Sequence, residues 1–79
     1  MIKNRETLVV IEEITASLID SAEQIESDSE FDNGRRIAYY EAVSTILSQC
    51  KIAGIDLESI GLKKDFSPEI ILKKQRKAA

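Results

Sequence analysis

Residues 31–53 read FDNGRRIAYYEAVSTILSQCKIA, and this stretch decides the fold. Wound at about 100° per residue, its apolar side chains fill an arc of roughly 200° on the surface of a helix. An ordinary surface helix carries a narrower apolar stripe, so more than one neighbour must cover this arc. The arc contains Phe31, Ala38, Tyr39, Tyr40, Ala42, Val43, Ile46, Leu47, Cys50 and Ala53. The pattern predicts a long helix over about residues 30–53.

The preceding stretch predicts a second long helix, over about residues 3–26. Its apolar positions recur at spacings of three and four, which is a heptad-like seam. The seam consists of Leu8, Ile11, Leu18, Ala22 and Ile25, widened to a half-cylinder by Val10, Ile14 and Ile19. Thr15 interrupts it with a hydroxyl that can bond back to the carbonyl of Ile11. The acidic residues fall on the opposite side, so this helix packs through its aliphatic side.

The start of the helix over residues 30–53 has two interpretations. Residues 27–30 and 29–32 each pair a serine with an acidic residue three positions on, which is typical of a helix N-terminus. Residues 32–34, Asp-Asn-Gly, instead read as a turn that would delay the start. The early start is favoured because it forms a ridge of small residues, beside Phe31, where another helix approaches closely. That ridge is Gly34, Ala38 and Ala42.

The C-terminal third carries clear stop and start signals. Gly54 is predicted to end the long helix in a Schellman motif, with Ile55 packing back on Cys50. A capped turn over residues 56–61 should follow, with Asp56 as its N-cap and Gly61 at its end. Residues 67–69, Ser-Pro-Glu, then predict a short basic helix over about residues 68–76 with Ser67 as its N-cap. The result is one all-α domain over residues 1–79, a long antiparallel helical hairpin plus a short C-terminal helix.

Size and composition favour self-association. In a chain of 79 residues a single core rarely supplies more than about 3–5 kcal/mol of net stability. One cysteine permits no intrachain disulfide, and without histidine the usual zinc patterns are absent. A partner is the remaining source of buried area, so we expect a homodimer that forms a helical bundle. On the Tyr40 flank of the long helix, we expect the short last helix to cover one end and the partner to cover the middle. The predicted interface residues are Tyr40, Val43, Leu47, Phe66 and Ile70.

Charge is segregated along the chain. Residues 12–32 contain eight acidic residues and no Lys or Arg, whereas residues 63–79 contain six basic and two acidic ones. Arg35 and Arg36 lie near the start of the helix over residues 30–53, where positive charge is unfavourable to the helix dipole. Each therefore needs an acidic neighbour or a bound anion, and the acidic neighbours are the favoured partners. The candidate anion-binding residues are Arg35, Arg36, Lys73, Lys74, Arg76 and Lys77. A net charge of −3 and the lack of interleaved aromatics argue against nucleic acid.

No catalytic machinery is visible in the sequence. Cys50 has no histidine to activate it. The acidic run from Asp28 resembles the start of a calcium loop but lacks its glycine at the sixth position, which is Asn33, and its glutamate at the twelfth, which is Tyr39. We expect no enzyme activity, no metal and no cofactor. No apolar run reaches the roughly 18 residues of a membrane span. The expectation is a cytoplasmic protein-interaction module with a protein partner, and the alternative is a nucleic-acid or anion-binding regulator acting through the basic C-terminal segment.

Overall fold

The computed structural model describes residues 5–73 of the chain and is built from helices. Helix α1 spans Arg5–Glu23 and helix α2 spans Glu30–Ala53, and two short 3₁₀ helices follow at Leu57–Ile60 and Pro68–Leu72. Within residues 5–73 no strand forms. The all-α class predicted from the sequence is confirmed.

Helices α1 and α2 pack as an antiparallel hairpin. Near the loop, Arg36 of α2 bonds to the carbonyl of Ile25, just past the end of α1. At the far end, Ile11 of α1 and Ala53 of α2 line the same groove. The seam between the helices contains Thr15, which is fully buried and donates to the carbonyl of Ile11 at 2.8 Å, as the sequence predicted.

Helix α1 ends at Glu23, earlier than the predicted end near residue 26. The backbone N–H of Gln24 still donates to the carbonyl of Asp20, at 3.2 Å. Beyond it the carbonyls of Ile25 and Ser27 turn toward the guanidinium of Arg36, which donates to them at 3.0 and 2.8 Å. The buried arginine therefore satisfies two carbonyls of the loop that have no helical partner. The predicted start near residue 3 lies outside the described residues.

Helix α2 begins at Glu30, with Ser29 as its N-cap. The Ser29 hydroxyl accepts a hydrogen bond from the backbone N–H of Asp32 at 3.1 Å, which satisfies one of the free donors at the helix start. The Ser27 hydroxyl donates to the Asp32 carboxylate at 2.5 Å and ties the loop to the first turn. Of the two start patterns in the sequence, residues 29–32 supply the cap, and Gly34 lies inside the helix.

The end of α2 is the Schellman motif expected from Gly54. Gly54 has a φ of 76°, and its N–H donates to the carbonyl of Lys51 at 3.1 Å. The N–H of Ile55 donates to the carbonyl of Cys50 at 2.8 Å. These two bonds are the pair that defines the motif, so the prediction is confirmed.

The two 3₁₀ helices differ from the predicted capped elements. Asp56 and Ser67 occupy the N-cap positions, but neither side chain makes a capping hydrogen bond. The Ser67 hydroxyl donates to the Glu69 carboxylate instead. The helix predicted over residues 68–76 is a 3₁₀ turn that ends at Leu72, and residues 74–76 lie outside the described part of the chain.

The predicted close approach along the small-residue ridge is wrong. A Cβ added to Gly34 would meet no atom within 4 Å, and Ala38 is exposed. Phe31, expected beside the ridge, is 75% exposed. The buried side chain of Arg36 explains this, because it points toward the hairpin loop. Gly34 and Ala38 lie two positions before and after Arg36, and residues two positions apart on a helix point about 200° apart. Gly34 and Ala38 are therefore turned away from α1.

Candidate interaction surface

The hairpin has two sides, and the chain after α2 covers one of them. The second 3₁₀ helix packs mainly on α2 and places the buried Ile71 against Ala22 and Val43. Tyr40 and Leu47 are half-buried around this cluster, with Phe66 packed beside them. Hydrogen bonds from the hydroxyls of Ser67 and Tyr40 hold the pKa of the Glu69 carboxyl below its ordinary value. This packed surface is called the covered side below.

The residues predicted to form an intermolecular interface lie on the covered side. Val43 has no exposed surface, and Tyr40, Leu47 and Phe66 are partly buried by their own chain. Ile70 is the exception, with 48% of its surface exposed. The short C-terminal helix thus supplies the second neighbour that the wide apolar arc of α2 requires. It packs on the Tyr40 flank, where the sequence predicted it at one end, beside a partner along the middle.

The opposite side of the hairpin is apolar, and no segment within residues 5–73 covers it. A groove of about 390 Å³ runs between α1 and α2, with Ile11 on one wall and Ile46 and Ala53 on the other. Val10 and Ile14 rise beside Ile11 on the same flank of α1, and they are 55% and 50% exposed. We define the open face as this surface. It consists of Val10, Ile11, Ile14, Ala42, Thr45, Ile46, Gln49 and Ala53.

The open face contains no charged residue, although 32% of the chain is charged. Glu13 precedes Ile14 and Glu41 precedes Ala42, and neighbours in sequence point about 100° apart on a helix. The carboxylates therefore lie at or beyond the edges of the face. A continuous, mainly apolar surface on two helices, with uncharged polar residues such as Thr45 and Gln49 and with charged residues only at its rim, is typical of a protein-binding site.

Cys50 lies at the floor of the groove. It is a free cysteine with 4% of its surface exposed, and burial raises the pKa of its thiol above the ordinary value. The thiol is therefore protonated at neutral pH and contributes a small apolar side chain to the floor.

The two adjacent arginines occupy opposite environments. Arg36 is 2% exposed and donates to Asn33 Oδ1 at 2.7 Å in addition to the two loop carbonyls. Its guanidinium is thereby enclosed by the hairpin, away from any anion in solvent. Arg35 is exposed, forms an ion pair with Asp32 at 3.0 Å, and lies 5.9 Å from the ring centroid of Phe31. Acidic and carbonyl neighbours thus satisfy both arginines.

The remaining candidate anion-binding residues belong to the C-terminal end. Lys73 is exposed, and Lys74, Arg76 and Lys77 lie outside the described residues. Within residues 5–73 no cluster of three His, Cys, Asp or Glu side chains is placed to hold a metal ion. None of the helices in this part of the chain is long and apolar enough to cross a membrane.

Comparison with known proteins gives no further identification. The chain matches no protein family, no curated protein and no solved structure. The geometry and chemistry of the open face are therefore the features from which a function is inferred.

The sequence contained the signal for the open face, but the covered side was favoured as the interface. Val10 and Ile14 widen the seam of α1, and Ile46 lies within the apolar arc of α2. The signal that distinguishes them is the absence of charge, which extends along this flank of α1 and along the flank of α2 from Ala42 to Ala53. The sequence predicts the interface on the Tyr40 flank because aromatic residues are frequent in interfaces.

Proposed function

We propose that this chain is a helical protein-interaction module that binds its partner through the open face. The observation that carries the proposal is the exposure of Val10 and Ile14 beside an uncharged groove, on the side of the hairpin that the C-terminal segment leaves uncovered. Apolar surface of this extent gains free energy when another apolar surface removes it from water.

Magnitudes favour a macromolecular partner over a small ligand. Complete burial of a valine or isoleucine side chain is worth about 1.5–3 kcal/mol, so each half-exposed side chain has about 1 kcal/mol still to gain. Association costs several kcal/mol, so many such contacts must form together. The groove is shallow, and Thr45 and Gln49 are the polar side chains on its walls. Small-ligand sites are more enclosed and have convergent polar groups, whereas helix-in-groove binding uses a surface of this kind.

Photo-crosslinking in cells that naturally produce the protein tests the proposal. p-Benzoylphenylalanine is placed at position 14 on the open face or at position 37, where an isoleucine of equal 50% exposure lies away from that face. We expect covalent adducts from position 14 and few from position 37. Adducts from position 37 alone, or from neither position, would overturn the proposal.

A further inference from the structure

We infer that the open face binds a second copy of this chain, related by a two-fold axis so that two hairpins form a four-helix bundle. The inference rests on the proposed function and names its partner. In a two-fold interface the same surface patch is used by both subunits and must be complementary to itself. The open face meets this requirement in its charge and in its shape.

Charge favours the open face over the other surfaces of the molecule. A two-fold axis brings each side chain near the axis close to its own copy, so a charged residue there would repel itself. The open face has no charge, whereas the outward side of α1 carries Glu13, Asp20 and Glu23, all exposed. When the open faces of two chains meet, these carboxylates point away from the equivalent carboxylates of the other chain. This limits repulsion between two chains that each have a net charge of −3.

Shape is the second argument. Val10 and Ile14 project from α1 and flank the groove, while Ala42 and Ala53 are small residues on the α2 side. Projecting side chains of one copy can therefore enter the groove of the other, as ridges enter grooves in helix packing. A surface that holds both the ridge and the groove needs no second kind of partner.

Chain size is the third argument. In the described part of the chain the buried hydrophobic residues are few: Ala22, Ile25, Val43, Cys50, Ile60 and Ile71. A domain of this length buries a smaller fraction of its surface on folding than a larger domain does, and small domains often gain stability from a disulfide, a metal or association. The single cysteine excludes an intrachain disulfide. A second copy would extend the core of the hairpin across the groove.

Sedimentation equilibrium of the purified full chain tests the inference. The monomer has a mass of 8.8 kDa, and we expect twice that mass for the wild type at high micromolar concentration. Ile14→Glu places a charge in the interface and should weaken the dimer at least about 100-fold. Ile37→Glu is the matched control, since Ile37 is equally exposed, and should leave the dimer intact. If Ile14→Glu fails to fold by circular dichroism, Val10→Lys replaces it.

A wild-type monomer at every concentration, a mass above the dimer, or dissociation by Ile37→Glu with none by the open-face variants would overturn the inference. The proposed function fails separately. A wild-type monomer whose position 14 crosslinks to another protein in cells retains the binding function and loses the self-association. A wild-type monomer without such adducts contradicts both.

Discussion

Two adjacent arginines show how strongly a residue's role depends on its side of the helix. Arg35 points to solvent and pairs with Asp32, whereas Arg36 is buried and holds the carbonyls of Ile25 and Ser27. The planar guanidinium can donate to several oxygens at once, which an ammonium cannot match in the same geometry. Arg36 thus ties the loop that follows α1 to the first turns of α2.

Replacing Arg36 with lysine should destabilise the fold markedly. Arg36→Lys leaves at least one buried loop carbonyl without a donor, at a cost of about 2–4 kcal/mol in the free energy of unfolding. Arg35→Lys is the control and should change stability little, because an exposed ion pair contributes little. Urea denaturation at one fixed protein concentration measures both. Equal effects of the two substitutions would contradict the structural role of Arg36.

Gly34 should be replaceable, in contrast to the glycine that ends the helix. Gly34 lies within α2 and a Cβ there would meet nothing within 4 Å, so Gly34→Ala should stabilise the protein by about 0.5–1 kcal/mol. Gly54 has a φ of 76°, and Gly54→Ala should cost about 1–2 kcal/mol. Thermal unfolding of both variants checks this. Destabilisation by Gly34→Ala would show that another surface approaches the small-residue ridge after all.

At the scale of elements, the second 3₁₀ helix has more importance than its five residues suggest. It brings Ile71 into the core between the two long helices and covers Tyr40 and Leu47. Without it, both sides of the hairpin would expose apolar surface. The chain after α2 therefore determines which side of the hairpin remains available for binding.

Two neighbouring isoleucines test this role of the second 3₁₀ helix. Ile71 is 4% exposed, and Ile71→Ala should cost about 2–5 kcal/mol because it leaves a cavity in the core. Ile70 is 48% exposed, and Ile70→Ala should cost about 1 kcal/mol or less. Denaturant unfolding distinguishes them. Similar losses for both substitutions would mean that this segment does not pack as described.

The start of α2 should make stability depend on acid pH. Hydrogen bonds from Ser27, and then from Arg35, hold the pKa of the Asp32 carboxyl below its ordinary value of 3.8. A carboxyl with a lowered pKa in the folded state stabilises the fold above that ordinary value, and this contribution is lost as the pH falls through the lower folded value. Stability should therefore decrease as the pH falls below about 4.

Urea denaturation of the wild type and two variants over this pH range measures the effect. Asp32→Asn should remove the part of the acid dependence that comes from this carboxyl. Ser27→Ala should reduce it, because the Ser27 hydroxyl is the largest cause of the lowered pKa. An acid dependence that is identical in all three proteins would exclude Asp32 as a source.

The sequence predicts the local elements better than it predicts their mutual arrangement. The all-α class, the Schellman motif at Gly54 and the bond from Thr15 to Ile11 follow from neighbours within five residues. The position of Phe31 and that of the ridge of small residues could not be predicted from such near neighbours. They depend on how Arg36 reaches the carbonyl of Ile25, eleven residues earlier, which a helical pattern does not encode.

The same limit applies to the candidate site. The arc of α2 is wide enough to require two neighbours, and its width was visible in residues 31–53. The sequence predicts the last helix on the Tyr40 flank, but periodicity cannot tell how much of that flank it covers, because both flanks are apolar. The structure places that segment on the Tyr40 flank and leaves the flank of Ile46 open.

At the scale of the whole molecule, we propose that the open face is the surface through which the chain binds. One side of the hairpin is closed by the chain itself, and the outward side of α1 is acidic. The open face is left as an uncharged surface that extends over both long helices. Its position opposite the second 3₁₀ helix makes the two sides of the hairpin distinct in exposure.

Isotope-filtered NOE spectra of an equal mixture of labelled and unlabelled chains test this claim most directly, because they record contacts between copies alone. At 8.8 kDa per chain the methyl groups are accessible to NMR. We predict intermolecular NOEs from the methyl groups of Val10, Ile14 and Ile46. Intermolecular NOEs from Ile37 or Leu47 with none from the open face, in a sample that sedimentation shows to be dimeric, would contradict the account.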